Sequence, residues 1–315
     1  MPKKLSMSTS DWLLLLVLAA FWGASFFFAA IAVREIPPLT LALARVMIAA
    51  GILFIYARAA GVALPKGAAT WRALAVMAVI NNVIPFTLLF WSQKYIAGGL
   101  ASILIATAPL FTIVVGHFVT ADDRITPGRL VGLIAGFVGV IVVIGPDALR
   151  DLGVNVGAQI ACLGAAIFYA GSAVYGRRFQ KQPAAGVAAG TVMMSTLILL
   201  PLAAIVDRPW TLPTPSPQAI GAVFGLAVIS TAAAYLIYFR ILARAGATNI
   251  LLVNFLLPVS AILLGVTFLG ETISLRQVIG MAAIAIGLAA LDGRPYRALM
   301  QAVDSSPKRA RSGRR

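Results

Sequence analysis

The 315-residue chain has 61% hydrophobic and only 11% charged residues, against roughly 45 to 50% and about 25% in soluble globular domains. So many apolar side chains cannot be hidden in one water-soluble core, which excludes a soluble fold. The formal net charge of +15 is carried by connectors and by the last 22 residues. Because it forms no single basic face, we predict an all-α integral membrane protein with no nucleic-acid partner.

Ten apolar runs are long enough to cross the roughly 30 Å of bilayer hydrocarbon. Prolines, glycines and charges separate them, because these residues stop or begin helices. In chain order the predicted spans are 11–33, 38–57, 72–92, 97–119, 128–145, 156–176, 185–206, 217–239, 247–269 and 274–291. The first run is too long for a typical signal peptide and is counted as a span.

Lysine and arginine predict the orientation of these spans. With a cytoplasmic N-terminus, the cytoplasmic side collects 19 of the 25 basic residues and the other side 5, with Arg45 left inside a span. Since basic residues concentrate in cytoplasmic loops, we predict that both termini are cytoplasmic, in a multi-pass protein of the inner (plasma) membrane.

The two halves of the chain resemble each other at a spacing of 147 to 149 residues. The segment 21–25 aligns with 168–172, Pro109 with Pro258, and Asp123 with Glu271. Because each half has five spans, the second enters the bilayer from the opposite side, as in many secondary transporters. We predict two inverted five-helix repeats, 1–145 and 146–293, followed by a disordered, basic cytoplasmic tail at 294–315.

Four short motifs are typical of one transporter family. They are Phe21-Trp22-Gly23-Ala24-Ser25-Phe26, Ile36-Pro37-Pro38-Leu39-Thr40 followed by Arg45, Ala106-Thr107-Ala108-Pro109-Leu110-Phe111, and Leu269-Gly270-Glu271-Thr272-Ile273-Ser274. Over about residues 11–291 the chain resembles the EamA family of the drug/metabolite transporter superfamily, and among its members the chain resembles the exporters of aromatic amino acids of the YddG type. The resemblance implies export of small metabolites, often amino acids. The segment 122–126, Asp-Asp-Arg-Ile-Thr, departs from the family's usual Gly-Glu-x-x-Thr.

Residues for catalysis or proton coupling are scarce in the sequence. Every acidic residue lies at a span end or in a connector, so none is placed at mid-bilayer for a proton relay. His117 is the only histidine and Cys162 the only cysteine. We therefore predict no metal site, no cofactor and no enzymatic activity.

Polar and aromatic side chains inside the spans are the candidates for substrate binding. Amides and hydroxyls at this depth either bind substrate near the midplane or bond neighbouring helices, and both interpretations stay open. Tyrosine and tryptophan at midspan favour a cavity, because their polar groups need partners. The predicted substrate-binding residues are Trp22, Ser25, Asn81, Asn82, Tyr169, Ser172, Thr231, Tyr235 and Asn254.

Prolines and two charged or titratable residues complete the predicted site. Pro85, Pro109 and Pro258 free backbone carbonyls where they kink their spans. Arg45 is either a partner for a substrate carboxylate or a structural arginine that snorkels or bonds backbone carbonyls near the headgroups. His117 is either a gating residue or an interfacial one.

The sequence thus predicts an inner-membrane exporter of neutral or aromatic amino acids that works by alternating access through a central cavity. A broader-specificity drug/metabolite efflux protein is the alternative within transport. A passive channel and a membrane-embedded enzyme are alternatives from other classes. The expected partners are a small-molecule substrate and membrane lipid, and the oligomeric state stays open.

Overall fold

The computed structural model describes residues 8–119, 127–144, 154–245 and 253–292. Within these ranges every regular element is a helix, which confirms the all-α class. The basic tail predicted at 294–315 and the connector with Asp122 and Asp123 lie outside the described residues.

The helices follow the chain in two similar series. The first contains α1 (Thr9–Ala32), α2 (Pro38–Ala59), α3 (Ala68–Ala78), the π-helix Val79–Val83, α4 (Ile84–Ser92), α5 (Gly98–Ile105), α6 (Ala108–Val119) and α7 (Pro127–Ile144). The second contains α8 (Val154–Gly176), α9 (Ala184–Val206), α10 (Pro217–Phe224), the π-helix Gly225–Ala233, α11 (Ala234–Ala245), α12 (Val253–Leu269) and α13 (Leu275–Asp292). Two short 3₁₀ turns, Arg177–Phe179 and Pro209–Thr211, follow α8 and α9.

Seven helical segments in the described ranges have the length and apolar composition of a membrane span. They are Thr9–Ala32, Pro38–Ala59, Ala68–Ser92, Gly98–Val119, Asn155–Phe179, Ala184–Val206 and Pro217–Tyr238. Three shorter apolar helices, Leu130–Val143, Leu256–Leu269 and Leu275–Gly287, lie where the fifth, ninth and tenth spans are predicted. A multi-pass membrane protein is supported, and the count of ten spans stays a prediction.

Apolar side chains at the surface and polar side chains in the interior are the distribution expected when lipid is the solvent. Large apolar side chains face outward, including Ile55 at 68%, Phe118 at 80% and Ile205 at 72% exposure. Asn82 and Ser195, in contrast, are fully buried. Polar groups turn inward because lipid offers them no hydrogen-bond partner.

The fourth predicted span is broken, although the sequence was interpreted as one run over 97–119. α5 ends at Ile105 and α6 begins at Ala108. Pro109 has no N–H for the carbonyl of Ile105, four residues earlier, so an α-helix cannot continue undisturbed. The Thr107 hydroxyl donates to the carbonyl of Leu104 and satisfies one backbone acceptor at this break.

Glu271 joins the two halves at the start of α5. Its carboxylate accepts the backbone N–H groups of Gly98 at 2.8 Å and Gly99 at 2.9 Å. A carboxylate here satisfies helix amides that have no intrahelical partner. Gly270, with φ of +65°, makes the tight turn that leads into Glu271.

Two more carboxylates cap helices across the halves. Asp207 accepts the backbone N–H of Thr40 at 2.7 Å and its hydroxyl at 2.8 Å, at the start of α2. Glu35 accepts the N–H and the hydroxyl of Ser216, the residue before α10, both at 2.6 Å. The two Ser216 hydrogen bonds lower the pKa of Glu35, because they stabilise its ionised form. These hydrogen bonds connect the two halves near the ends of their helices.

Glycines let α7 and α13 approach closely, as small residues do between membrane helices. A Cβ atom on Gly287 would lie 2.6 Å from the backbone oxygen of Gly132 and 2.6 Å from the nitrogen of Gly136. A Cβ atom on Gly139 would lie 2.7 Å from the nitrogen of Ile284. The two backbones leave no room for a side chain.

Replacing Gly287 by alanine should therefore separate α7 from α13 and lower thermal stability, measured as the temperature at which the purified protein loses its monodisperse elution peak. The matched control is Gly51→Ala in α2, where nothing lies within 4 Å of the added methyl. We expect no loss for the control, since alanine favours a helix by about 1 kcal/mol over glycine. Equal stability of Gly287→Ala and Gly51→Ala would refute the close packing.

Candidate substrate-binding site

Two π-helices carry the polar pairs that the sequence repeat relates to each other. Asn81 and Asn82 lie in the π-helix Val79–Val83, and Ser230 and Thr231 lie in the π-helix Gly225–Ala233. π-helices are rare and often occur at functional sites, because the wider turn displaces side chains and frees carbonyls. The structure thus gives both predicted midspan pairs the same unusual backbone.

A chain of hydrogen bonds runs through the asparagine pair. The Ser172 hydroxyl of α8 donates to Asn81 Oδ1 at 2.9 Å, Asn81 Nδ2 donates to Asn82 Oδ1 at 2.9 Å, and Asn82 Nδ2 donates to the Ser195 hydroxyl of α9 at 2.8 Å. Asn82 is fully buried, whereas Asn81 is only partly buried. Asn82 therefore bonds neighbouring helices, while Asn81 retains an accessible edge.

Arg45 meets the second π-helix. Its Nε donates to the Thr231 hydroxyl at 2.8 Å, and that hydroxyl donates to the carbonyl of Leu226 at 2.8 Å. The guanidinium carbon lies 4.1 Å from the centre of the Phe86 ring. Arg45 is 5% exposed, so it is an interior arginine. Whether it binds substrate or has a structural role stays a prediction.

Two of the hydrogen bonds that join the halves involve positions at or next to the repeat spacing of 147 to 149 residues. Arg45 to Thr231 links the second predicted span to the eighth, and Ser195 to Asn82 links the seventh to the third. Thr231 follows Asn82 by 149 residues, and Ser195 follows Arg45 by 150. Nearly corresponding positions of the two halves thus make similar hydrogen bonds. We name the group Arg45, Asn81, Asn82, Ser172, Ser195 and Thr231 the central polar cluster.

Aromatic side chains surround the central polar cluster. Tyr235 shares a hydrogen bond with Asn81, and both Tyr169 and Tyr235 lie within electrostatic range of Arg45. The Trp22 ring lies 5.8 Å from that of Tyr238, measured between centroids. An aromatic wall beside hydrogen-bonding groups suits a ligand with a flat apolar part and a polar end.

The remaining predicted residues lie in several places. Ser25 is buried on α1, three residues after Trp22. Asn254 and Pro258 of α12 line a small cavity of about 20 Å³ against Ile103 of α5. His117 is exposed at the end of α6. Asn254 on α12 and His117 on α6 thus lie on other helices than the members of the central polar cluster.

The three prolines differ in their effect. Pro85 is the second residue of α4, just after the π-helix Val79–Val83, and Pro109 is the second residue of α6, just after the break between α5 and α6. Pro258 lies inside α12, which continues from Val253 to Leu269. Near it, the Ser260 hydroxyl of α12 donates to the carbonyl of Ala19 on α1 at 2.8 Å.

Sequence reasoning missed two residues of this region. Ser195 gave no signal, because a single serine in a span is common and its spacing of 150 residues from Arg45 lies just outside the repeat spacing of 147 to 149. Ser230, the residue before Thr231, was not among the predicted substrate-binding residues. Its hydroxyl oxygen is buried and has no hydrogen-bond partner among the described residues, which is costly in an apolar interior.

The family of the chain follows from its match to known proteins. The model of the EamA-like transporter family matches residues 10–145 and again residues 157–291. The chain belongs to the EamA-like transporter family. The resemblance indicated by the four sequence motifs is confirmed.

Curated relatives of this EamA-like protein are named as transporters. It is 25% identical over 282 residues to an "Uncharacterized transporter" of Archaeoglobus fulgidus, covering 88% of this chain and 96% of that one. It is 29% identical over 280 residues to "Uncharacterized inner membrane transporter YedA" of Escherichia coli K12, covering 86% of each. It is 26% identical over 292 residues to a Salmonella typhimurium protein named "Probable amino-acid metabolite efflux pump", covering 90% of this chain and 94% of that one.

A solved structure shares the fold of this EamA-like chain. That crystal structure superposes with a TM-score of 0.65 at 20% identity and covers 90% of this chain and 99% of the other. The shared motifs of the family have visible physical roles here. Glu271 caps α5, and Arg45 bonds Thr231 across the halves.

The bond between Asn82 and Ser195 should be measurable as an energetic coupling. In a double-mutant cycle of Asn82→Ala and Ser195→Ala, the free energy of unfolding in mixed detergent should show a coupling of about 0.6 kcal/mol, the average for such bonds in membranes. Thr196→Ala is the control, because the Thr196 hydroxyl donates only to Val192 of its own helix. Strict additivity of Asn82→Ala with Ser195→Ala would contradict the bond.

Proposed function

We propose that this EamA-like protein is an inner-membrane secondary transporter that exports neutral or aromatic amino acids by alternating access. The observation that carries the proposal is the central polar cluster, which lies between the two halves and joins them by hydrogen bonds. A site shared by two related halves is suited to exposure on either side of the membrane in turn.

Two inverted five-helix repeats are part of this proposal. The family model matches the chain twice, at 10–145 and 157–291. The π-helices Val79–Val83 and Gly225–Ala233 occur at corresponding places, and α7 packs against its counterpart α13. An odd number of spans in each half would make the repeats inverted.

The surroundings of the cluster favour an amino acid with an apolar or aromatic side chain. Tyr169, Tyr235 and Phe86 present rings, while Asn81 and Arg45 present hydrogen-bond donors. A cationic drug is disfavoured, because the cluster contains a guanidinium and no carboxylate among the described residues. The relative named as an amino-acid metabolite efflux pump is consistent with this substrate class.

The proposed orientation places both termini in the cytoplasm, and reporter fusions test it. Reporters at positions 63, 123, 181 and 243 should give cytoplasmic signals, and those at 36, 96, 150 and 212 periplasmic signals, because of the asymmetric distribution of basic residues. A reversed signal at any pair of neighbouring positions would contradict the proposed ten spans.

Export itself is tested in proteoliposomes that contain purified protein and labelled phenylalanine, leucine or a cationic drug. The amino acids should move down their gradients, and the drug should not. Asn81→Leu should lower the transport rate per folded molecule about 5- to 10-fold, as for loss of one hydrogen bond of about 1 to 1.4 kcal/mol.

Thr87→Val is the matched control, because it removes a hydroxyl that donates only to Val83 of the same span. It should leave the transport rate within about twofold of the wild type. Movement of the drug but of neither amino acid would overturn the proposed substrate class. Equal transport rates for Asn81→Leu and Thr87→Val would show that the central polar cluster is not part of the substrate-binding site.

A further inference from the structure

Arg45 is a buried cation at the junction of the two halves. It lies in α2 and is 5% exposed. Its Nε–H bond to Thr231 is the one hydrogen bond that the guanidinium makes within the described part of the chain. Since a guanidinium has five N–H donors, four of them are left for another partner.

No carboxylate of the described residues neutralises this charge. Glu271 is held by Gly98 and Gly99, and Asp207 by Thr40. Glu35 is held by Ser216, and Asp11 lies 3.7 Å from Arg244. Every carboxylate whose side chain the structure describes is thus engaged at a helix end, away from Arg45.

The rings beside Arg45 compensate its charge only in part. Phe86, with its centre 4.1 Å from the guanidinium carbon, and Phe90, at 5.9 Å, provide cation–π contacts. Such contacts contribute up to about 2 kcal/mol when desolvated, whereas burial of an unpaired ion costs several kcal/mol. The cluster therefore retains a net positive potential, and a carboxylate is the ligand group that matches a planar guanidinium fork best.

We propose that Arg45 binds the carboxylate of the transported substrate, and that the α-amino group is dispensable for recognition. The proposal rests on the proposed export function and defines its substrate class as monocarboxylates with an apolar or aromatic remainder. The carboxylate accepts the free N–H groups of Arg45 while Nε remains on Thr231. Amino acids are then one subset of the substrates.

The α-amino group of the substrate is dispensable because few acceptors are available for an ammonium group near Arg45. The polar groups near Arg45 are neutral: the Tyr169 and Tyr235 hydroxyls lie within electrostatic range of it, and Asn81 Oδ1, next to Tyr235, already accepts from Ser172. Neutral acceptors tolerate an ammonium group but provide no opposite charge. Recognition is thus stronger at the acid end of the molecule than at the amine end.

Substrate analogues test this on the unmodified protein. Three unlabelled competitors are compared against transport of labelled phenylalanine: phenylalanine, N-acetylphenylalanine, which keeps only the carboxylate, and phenylalaninamide, which keeps only the amine. The first two should inhibit at concentrations within about fivefold of each other. The amide should be at least about 10-fold weaker, as for loss of a hydrogen bond to a charged group. Equal inhibition by the amide, or none by the N-acetyl compound, would overturn the proposal.

Variants of Arg45 test whether the stronger inhibition by the acids than by the amide depends on this residue. Arg45→Gln should abolish the difference between acid and amide, and Arg45→Lys should retain part of it. The control is Arg58→Gln, an exposed arginine in the last turn of the same helix, which should keep the full difference. An Arg45→Gln protein that folds and still prefers the acid would contradict the assignment.

A parallel binding measurement separates this inference from the export proposal. The thermal stability of the purified wild-type protein is recorded with each of the three compounds. If no amino acid is transported but both acids stabilise the protein and the amide does not, export fails and the carboxylate site stands. If amino acids are transported and the amide stabilises as well as the acids, export stands and the carboxylate site fails. If no compound stabilises or is transported, both fail.

Discussion

Every polar group inside the membrane has to find its partner within the protein, and this constraint shapes the junction between the two halves. Lipid supplies no hydrogen bonds, so amides, hydroxyls and the guanidinium turn inward and bond across helices. Asn82 with Ser195, and Arg45 with Thr231, are the result. The same constraint explains the helix ends, where Glu271 and Asp207 satisfy backbone amides of the opposite half.

The polar side chains at the junction differ in how many of their donors and acceptors are hydrogen-bonded. Asn82 is fully buried with its partners in place, so it stabilises the bundle. Arg45 has one side-chain partner and a charge that no described carboxylate balances, and Ser230 has a hydroxyl without a partner among the described residues. Incomplete hydrogen bonding in an apolar interior costs free energy. We propose that the substrate supplies the missing partner.

The sequence predicted the class of the fold and much of the site. Hydropathy predicted the long helices that the structure describes, and the position of polar side chains inside the spans singled out Asn81, Asn82 and Thr231. The π-helix Gly225–Ala233 was not predictable, because no proline follows it as Pro85 follows the first. The hydrogen-bond partners of the polar residues were not predictable from the sequence either. Ser195 is 113 residues from Asn82 along the chain, and only the packing of α9 on the third span brings the two together.

We propose that the substrate binds between the halves at the central polar cluster. An experimental structure of the protein with a transported amino acid bound tests this most directly. We expect the ligand's carboxylate within hydrogen-bond distance of Arg45 and its side chain against Tyr169 and Tyr235. An amino acid bound elsewhere, such as in the cavity beside Asn254 and Pro258, with Arg45 still without a ligand, would contradict it.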